Sequence, residues 1–122
     1  TPVNKKVTAE DVFNNIPSYL GLKQTSQTIT ADGSSTTAVD VTSAVTEINA
    51  SSATHSCAMA DGSDGQIKII LNTSTSGTNA ITITPANFTN TSITLNAAGE
   101  SAICIFKSSK WYVIGGNGFT IA

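Results

Sequence analysis

The sequence predicts an all-β protein: an antiparallel β-sandwich or barrel, jelly-roll-like, with a short N-terminal helix and arm. Three observations support this fold class. Ser and Thr make up roughly a quarter of the chain, whereas charged residues make up 11% and aromatic residues 6%. After Gln24 the apolar residues alternate with polar ones. Turn signals then recur at intervals of about 8 to 12 residues, as expected for short strands in a sandwich or barrel.

The sequence predicts an N-terminal arm over residues 1–23 and a β-domain over residues 24–122. Thr8 stands three residues before Asp11, a capping-box-like helix start, and Pro17 ends the helix after about two turns. Because so short a helix is unstable alone, its apolar side chains must pack on the body of the domain or on another chain. These candidate anchoring residues are Val12, Phe13, Ile16, Tyr19 and Leu20.

The strands of the β-domain carry apolar residues on more than one face. Ile67, Ile69 and Leu71 share one face of a predicted strand, and Ile70 lies on the opposite face. The segment 101–106 is apolar on both parities, so its strand must be covered on both sides. The residues expected in the core or in an oligomer interface are Ile103, Ile105, Trp111, Tyr112 and Ile114. No fixed repeat is visible, so we expect no solenoid.

The chain offers no convincing catalytic or metal-binding set, and we expect neither an enzyme nor a cofactor. His55 is the single histidine, and a nucleophilic pair with Cys57 would require an activated thiolate. Cys57 and Cys104 lie in apolar strands, which favours buried free thiols and leaves a disulfide between them as the alternative. The acids mostly occur at glycine turns, where turn formation explains them.

Charge and hydropathy also exclude two classes of partner. The net charge is −2 and the six basic residues are scattered, so nothing predicts binding to nucleic acid. No apolar run approaches the roughly 18 residues that a membrane-spanning helix needs.

The second half of the chain carries a series of short motifs in a fixed order. They are Ala60-Asp61-Gly62, Gly65-Gln66-Ile67-Lys68, Thr84-Pro85-Ala86-Asn87-Phe88, Leu95-Asn96-Ala97-Ala98-Gly99-Glu100-Ser101-Ala102 and Trp111-Tyr112-Val113-Ile114-Gly115. This series resembles a β-rich segment of virion structural proteins of tailed bacteriophages, cyanophages in particular. Cys57 and Met59 stand where the family more often has Val and Leu. The resemblance covers about half of the chain and does not include the first fifty residues.

The resemblance implies a trimeric head decoration (cement) or head fibre protein that is assembled into the virion in the host cytoplasm. Its partners would be two further copies of itself and the major capsid protein or another virion protein, with the arm as the anchor. The alternative is a tail fibre module that recognises a host surface glycan through the loop 61–65 or through Tyr112.

Overall fold

The computed structural model describes residues 8–10, 24–50, 54–75 and 79–122. The described residues form a two-layer β-sandwich, which confirms the all-β prediction. The helix predicted in the arm falls mostly on residues outside the described ones. The strands are β1 (Ser26–Ala31), β2 (Thr37–Val39), β3 (Val45–Ala50), β4 (His55–Met59), β5 (Ile67–Asn72), β6 (Ile81–Pro85), β7 (Ile93–Leu95), β8 (Ser101–Lys107), β9 (Lys110–Asn117) and β10 (Thr120–Ile121).

Both sheets are mixed, so the antiparallel expectation is wrong for the first six strands. The first sheet has the order β1-β3-β5-β8-β9 and the second the order β10-β7-β6-β4-β2. From β1 to β6 the chain passes to the opposite sheet after every strand. It therefore enters each sheet in the same direction every time, and β1, β3 and β5 pair in parallel, as do β2, β4 and β6. The remaining pairs are antiparallel.

The first six strands thus wind as a coil that alternates between the two sheets. The coil lacks a fixed repeat because its turns differ in length. In the first sheet, Ser26 pairs with Val45, 19 residues later, and Val45 pairs with Ile69, 24 residues later. The turns are longer in the second sheet, where Thr37 pairs with Cys57 and Cys57 with Ile83.

The core lies between the two sheets and contains a side-chain layer from each. Alternate residues point into it, as the period of two requires. Its largest fully buried apolar side chain belongs to Trp111 of β9, and the same cluster contains fully buried isoleucines of β3, β5, β6 and β7. The inward residues of β5 are Lys68, Ile70 and Asn72, so the more apolar parity of this strand faces outward.

Candidate functional site

Trp111 is the point at which several of the short motifs in the second half of the chain meet. Its side chain is fully buried, and its indole Nε1 donates a hydrogen bond of 2.9 Å to the carbonyl of Ala60. The ring lies over Gly62, where a Cβ atom would come within 2.9 Å of Trp111 Cζ2. Phe106 meets Trp111 edge to face, with ring centroids 5.2 Å apart. Trp111 therefore packs against the Ala60-Asp61-Gly62 motif.

The turn that contains Asn87 closes the other side of this arrangement. The backbone N–H of Trp111 donates to the Asn87 carbonyl at 2.8 Å, and Asn87 Nδ2 donates to Asp61 Oδ2 at 2.6 Å. The N–H of Ala86 donates to the carbonyl of Met59 at 2.8 Å. These motifs meet through internal contacts that hold the fold.

The side chains of Gln66 and Lys68 hold the loop between β2 and β3 by donating hydrogen bonds to its carbonyl groups. The Gln66 amide donates to the Val41 carbonyl, and Lys68 Nζ donates to the Ser43 carbonyl at 2.6 Å. Lys68 is fully buried, and Asp40 Oδ1 lies 3.8 Å from its amine. Burial lowers the pKa of Lys68, and the Asp40 carboxylate opposes that shift. No sequence pattern signalled this burial, because lysine is almost never fully buried unless paired.

His55 and the two cysteines have structural positions. His55 Nδ1 accepts a hydrogen bond of 3.1 Å from the N–H of Gly33, and Nε2 lies 2.8 Å from Thr37 Oγ1. His55 therefore ties the β1–β2 turn to β4. Cys57 and Cys104 are free and buried, which confirms the free-thiol prediction over the disulfide. Burial raises the pKa of the Cys57 thiol to about 11 and that of Cys104 to about 12, the opposite of what a nucleophile requires.

The outward side of the first sheet carries a contiguous apolar surface, which we call the outer apolar face. Its members come from β5, β8 and β9: Ile67, Ile69, Leu71, Ile103, Ile105, Tyr112 and Ile114. Strand register makes them neighbours, since Ile105 pairs with both Ile67 and Tyr112, and Ile103 pairs with Ile69. The exposed fractions of Ile67, Tyr112 and Ile114 are 42%, 38% and 57%. Ile114 has the same parity as Tyr112 and projects outward beside a register shift in the pairing of β8 with β9.

The outward side of the second sheet has a different character. Its residues along β2, β4, β6 and β7 have short hydroxyl or methyl side chains: Ala38, Ser56, Ala58, Thr82, Thr84 and Thr94. Bulky exposed apolar side chains are therefore concentrated on one side of the sandwich, and the exception is Ile121 of the edge strand β10 in the second sheet. A contiguous apolar patch of this kind marks an interaction surface more often than single exposed apolar residues do.

The structure separates the residues that the sequence assigned to core or interface. Trp111 belongs to the core, whereas Ile103, Ile105, Tyr112 and Ile114 lie on the outer apolar face. Sequence reasoning grouped Ile67, Ile69 and Leu71 on one face of their strand but did not assign that face to the interface candidates, which it joins on the outside of the first sheet. The anchoring candidates Val12, Phe13, Ile16, Tyr19 and Leu20 lie outside the described residues.

The loop 61–65 has internal partners for its acids. Asp61 accepts from Asn87, and Asp64 accepts from the Ser108 N–H at 2.9 Å and forms an ion pair with Lys107. Within the described ranges there is no group of three or more His, Cys, Asp or Glu arranged to hold a metal ion. Those ranges also contain no helix with the length and apolarity needed to cross a membrane.

Comparison with known proteins adds no family to these observations. No protein-family model matches the chain, and no curated protein is significantly similar to it. What points to a function in the described part of the chain is therefore the outer apolar face.

Proposed function

We propose that this chain is a virion structural protein of a tailed bacteriophage: a homotrimeric capsid decoration or head fibre protein. The outer apolar face is the observation that carries the proposal. The core between the two sheets is complete without it, since Trp111 and the inward isoleucines are fully buried. A second apolar surface on a complete sandwich is what a subunit of an oligomer needs, and most soluble oligomers are symmetric.

The borders of the face also suit an interface. On the β3 side, Leu71 pairs with Glu47, whose carboxylate accepts a hydrogen bond of 2.6 Å from Thr28 Oγ1. An apolar centre with a polar rim is the usual anatomy of a protein interface. Burying the isoleucines between copies would supply about 25 cal/mol for each Å² of apolar surface removed from water. The number of copies, three, comes from the family resemblance.

In this proposal, residues 1–22 make the contact with the capsid shell. Many identical subunits on a symmetric shell would add their binding energies site by site. The glycan-binding alternative has less support, because Asp61 and Asp64 already have internal partners. Tyr112 remains an exposed aromatic residue, but it lies within the outer apolar face.

The first experiment is the native mass of the purified chain by light scattering after size exclusion. We expect a mass near three times the 12.5 kDa subunit. A monomer at all accessible concentrations would contradict the proposal, because the outer apolar face would then have no copy to cover it.

The second experiment tests whether the protein binds to the capsid. The trimer should co-sediment with empty capsids that lack it, and a variant without residues 1–22 should remain trimeric but fail to co-sediment. A truncated protein that still decorates capsids would show that the arm is not the anchor. Binding to host cells or to a glycan array without capsid binding would favour the tail fibre alternative.

A further inference from the structure

An open apolar groove of about 550 Å³ lies at the end of the second sheet where β2, β4 and β6 finish. Its floor consists of methyl groups and apolar side chains from the ends of these strands: Ala38, Val39, Ala58, Met59, Ala60 and Ala86. The loop 40–42 forms the wall, with Val41 half-buried against the core. Small floor residues and one raised wall leave space for bulky apolar side chains from elsewhere.

The wall of the groove is held in place by hydrogen bonds. The Asp40 carboxylate accepts from the N–H groups of Thr42 at 3.1 Å and Ser43 at 2.7 Å. The N–H of Asp40 donates to Gln27 Oε1 at 3.0 Å, and the buried Lys68 amine holds the Ser43 carbonyl. The groove therefore exists before anything binds in it, which reduces the ordering cost of binding.

The chain enters the β-domain at the same end of the sandwich. Thr25 Oγ1 accepts from the N–H of Ala44 at 3.1 Å, and the Thr25 carbonyl accepts from Val45 at 3.0 Å. Gln27 Nε2 donates to the carbonyl of Ala38 on the groove floor at 3.1 Å. Residues 21–24 can span about 13 Å when extended, and packed sheets lie about 10 Å apart. Residue 20 can therefore reach the second sheet.

We propose that this groove binds residues 12–20 of its own chain in the free protein. This segment is rich in apolar side chains that need a partner and contains no charged residue, so it does not conflict with Asp40 at the wall. A tethered segment also has an effective concentration that a separate molecule must exceed. The inference does not depend on the proposed function. If this inference and the proposed function are both correct, the groove shields these side chains from water before assembly. On assembly the side chains leave the groove and bind the capsid shell.

A disulfide cross-link tests this placement. Cysteines introduced by Phe13→Cys and Ala58→Cys should form an intrachain bond on mild oxidation, seen as a faster band of monomer mass on a non-reducing gel. The matched control pairs Phe13→Cys with Thr30→Cys, an exposed position of β1 on the opposite side of the sandwich. A disulfide requires Cα atoms about 4.4–6.8 Å apart, so the control should not close. The native cysteines Cys57 and Cys104 are free and buried.

Each other result overturns the proposal. A band of twice the subunit mass would mean that the groove receives the arm of a second copy. No cross-link, or equal cross-linking in the control, would mean that the groove does not hold this segment. A second variant covers the case in which strain prevents the disulfide. Ala58→Glu places a charge on the groove floor. A protein with Phe13→Cys and Ala58→Glu should therefore be labelled at the introduced thiol faster than a protein with Phe13→Cys alone. An unchanged labelling rate would contradict the proposal independently.

Discussion

Lys68 shows at the level of one residue how this small protein fixes a loop. The amine is inside the sandwich, where desolvation disfavours its charged form and lowers its pKa below the ordinary 10.5. It nevertheless donates to the Ser43 carbonyl, and through that bond it holds the wall of the groove. A neutral amine keeps this donor, so losing the proton relieves the cost of burial without losing the hydrogen bond.

The pH dependence of stability should reveal this burial. Between the lowered pKa of folded Lys68 and 10.5, the unfolded chain binds more protons than the folded chain. The free energy of unfolding of the wild type should therefore rise with pH relative to that of Lys68→Met, and level off above the unfolded pKa. Urea unfolding of both proteins from about pH 8 to about pH 11 measures the difference. The exposed-lysine variant Lys110→Met should follow the wild type, and parallel curves for Lys68→Met would contradict the assignment.

Gly62 is a residue whose missing side chain is essential. A Cβ atom there would lie 2.7 Å from Gln66 Oε1 and 2.9 Å from the Trp111 ring, and both groups are held by their own hydrogen bonds. Gly62→Ala should therefore cost about 1–3 kcal/mol of unfolding free energy through overpacking. Gly115→Ala is the matched control, since its Cβ would meet only Ile103 Cδ1 at an ordinary 3.8 Å. Chemical denaturation of the two variants gives the comparison, and equal stabilities would refute the role of Gly62.

The β8–β9 hairpin turns at Ser108 and Ser109, and its conformation could not be predicted from these residues. Ser108 and Ser109 both have positive φ, 51° and 62°, as the twist of a two-residue hairpin demands. Serine is an unusual choice there, and the turn is supported by Asp64, which accepts from the Ser108 N–H. That partner lies 44 residues away, so no local pattern in the sequence could indicate it.

This turn offers a stabilising substitution. The left-handed region costs a non-glycine residue roughly 1–2 kcal/mol, whereas glycine loses about 0.5–1 kcal/mol in backbone entropy on folding. Ser109→Gly should therefore raise the free energy of unfolding by about 0.5–1 kcal/mol, measured by urea denaturation. Ser56→Gly at an exposed strand position of β4 should have the opposite sign. Destabilisation by Ser109→Gly would mean that the serine hydroxyl contributes more than the strain costs.

Strand β5 marks the boundary of what the sequence could predict about the candidate site. Its alternation correctly indicated a strand and grouped Ile67, Ile69 and Leu71 on one face. The pattern alone suggests that this apolar parity faces the core, yet Lys68 and Asn72 face inward with Ile70. Their polar atoms find partners at Ser43 and Leu95, which lie 25 and 23 residues away in the sequence, and at Asn79, which lies 7 residues away. A pattern of apolar and polar residues does not show which buried polar groups have hydrogen-bond partners elsewhere in the chain. For that reason it could not indicate which face of β5 lies in the core.

For the whole molecule, the all-β class followed from the period of two and the turn signals, whereas the topology did not. Antiparallel pairing is the usual expectation for short strands joined by short turns. Here the loops between β1 and β6 cross between sheets, and turns of unequal length remove the repeat by which a coil is recognised. Crossing loops and hairpin loops use the same Gly, Ser, Asn and Asp residues, so local chemistry does not distinguish them.

The asymmetry between the two sides of the sandwich gives the decisive test of oligomerisation. Ile105→Lys puts a charge at the centre of the outer apolar face, beside Ile67 and Tyr112. Because the side chain points away from the core, the subunit should still fold, with little change in its thermal unfolding temperature. An isoleucine buried between copies is worth about 1.5–3 kcal/mol, and about 1.4 kcal/mol corresponds to a tenfold change in affinity. Association should therefore weaken at least about tenfold, a shift from trimer to monomer in light scattering at low concentration.

The matched control for this variant is Thr82→Lys. It introduces the same charge at a half-buried strand position on the outward side of the second sheet. It should leave the proposed trimer intact, because the outward side of β2, β4, β6 and β7 carries short side chains and lacks the bulky apolar ones needed for an interface. If Ile105→Lys remained trimeric while Thr82→Lys dissociated, the interface would lie on the second sheet. The outer apolar face would then need a different partner, and the shell of the capsid would be the first to test.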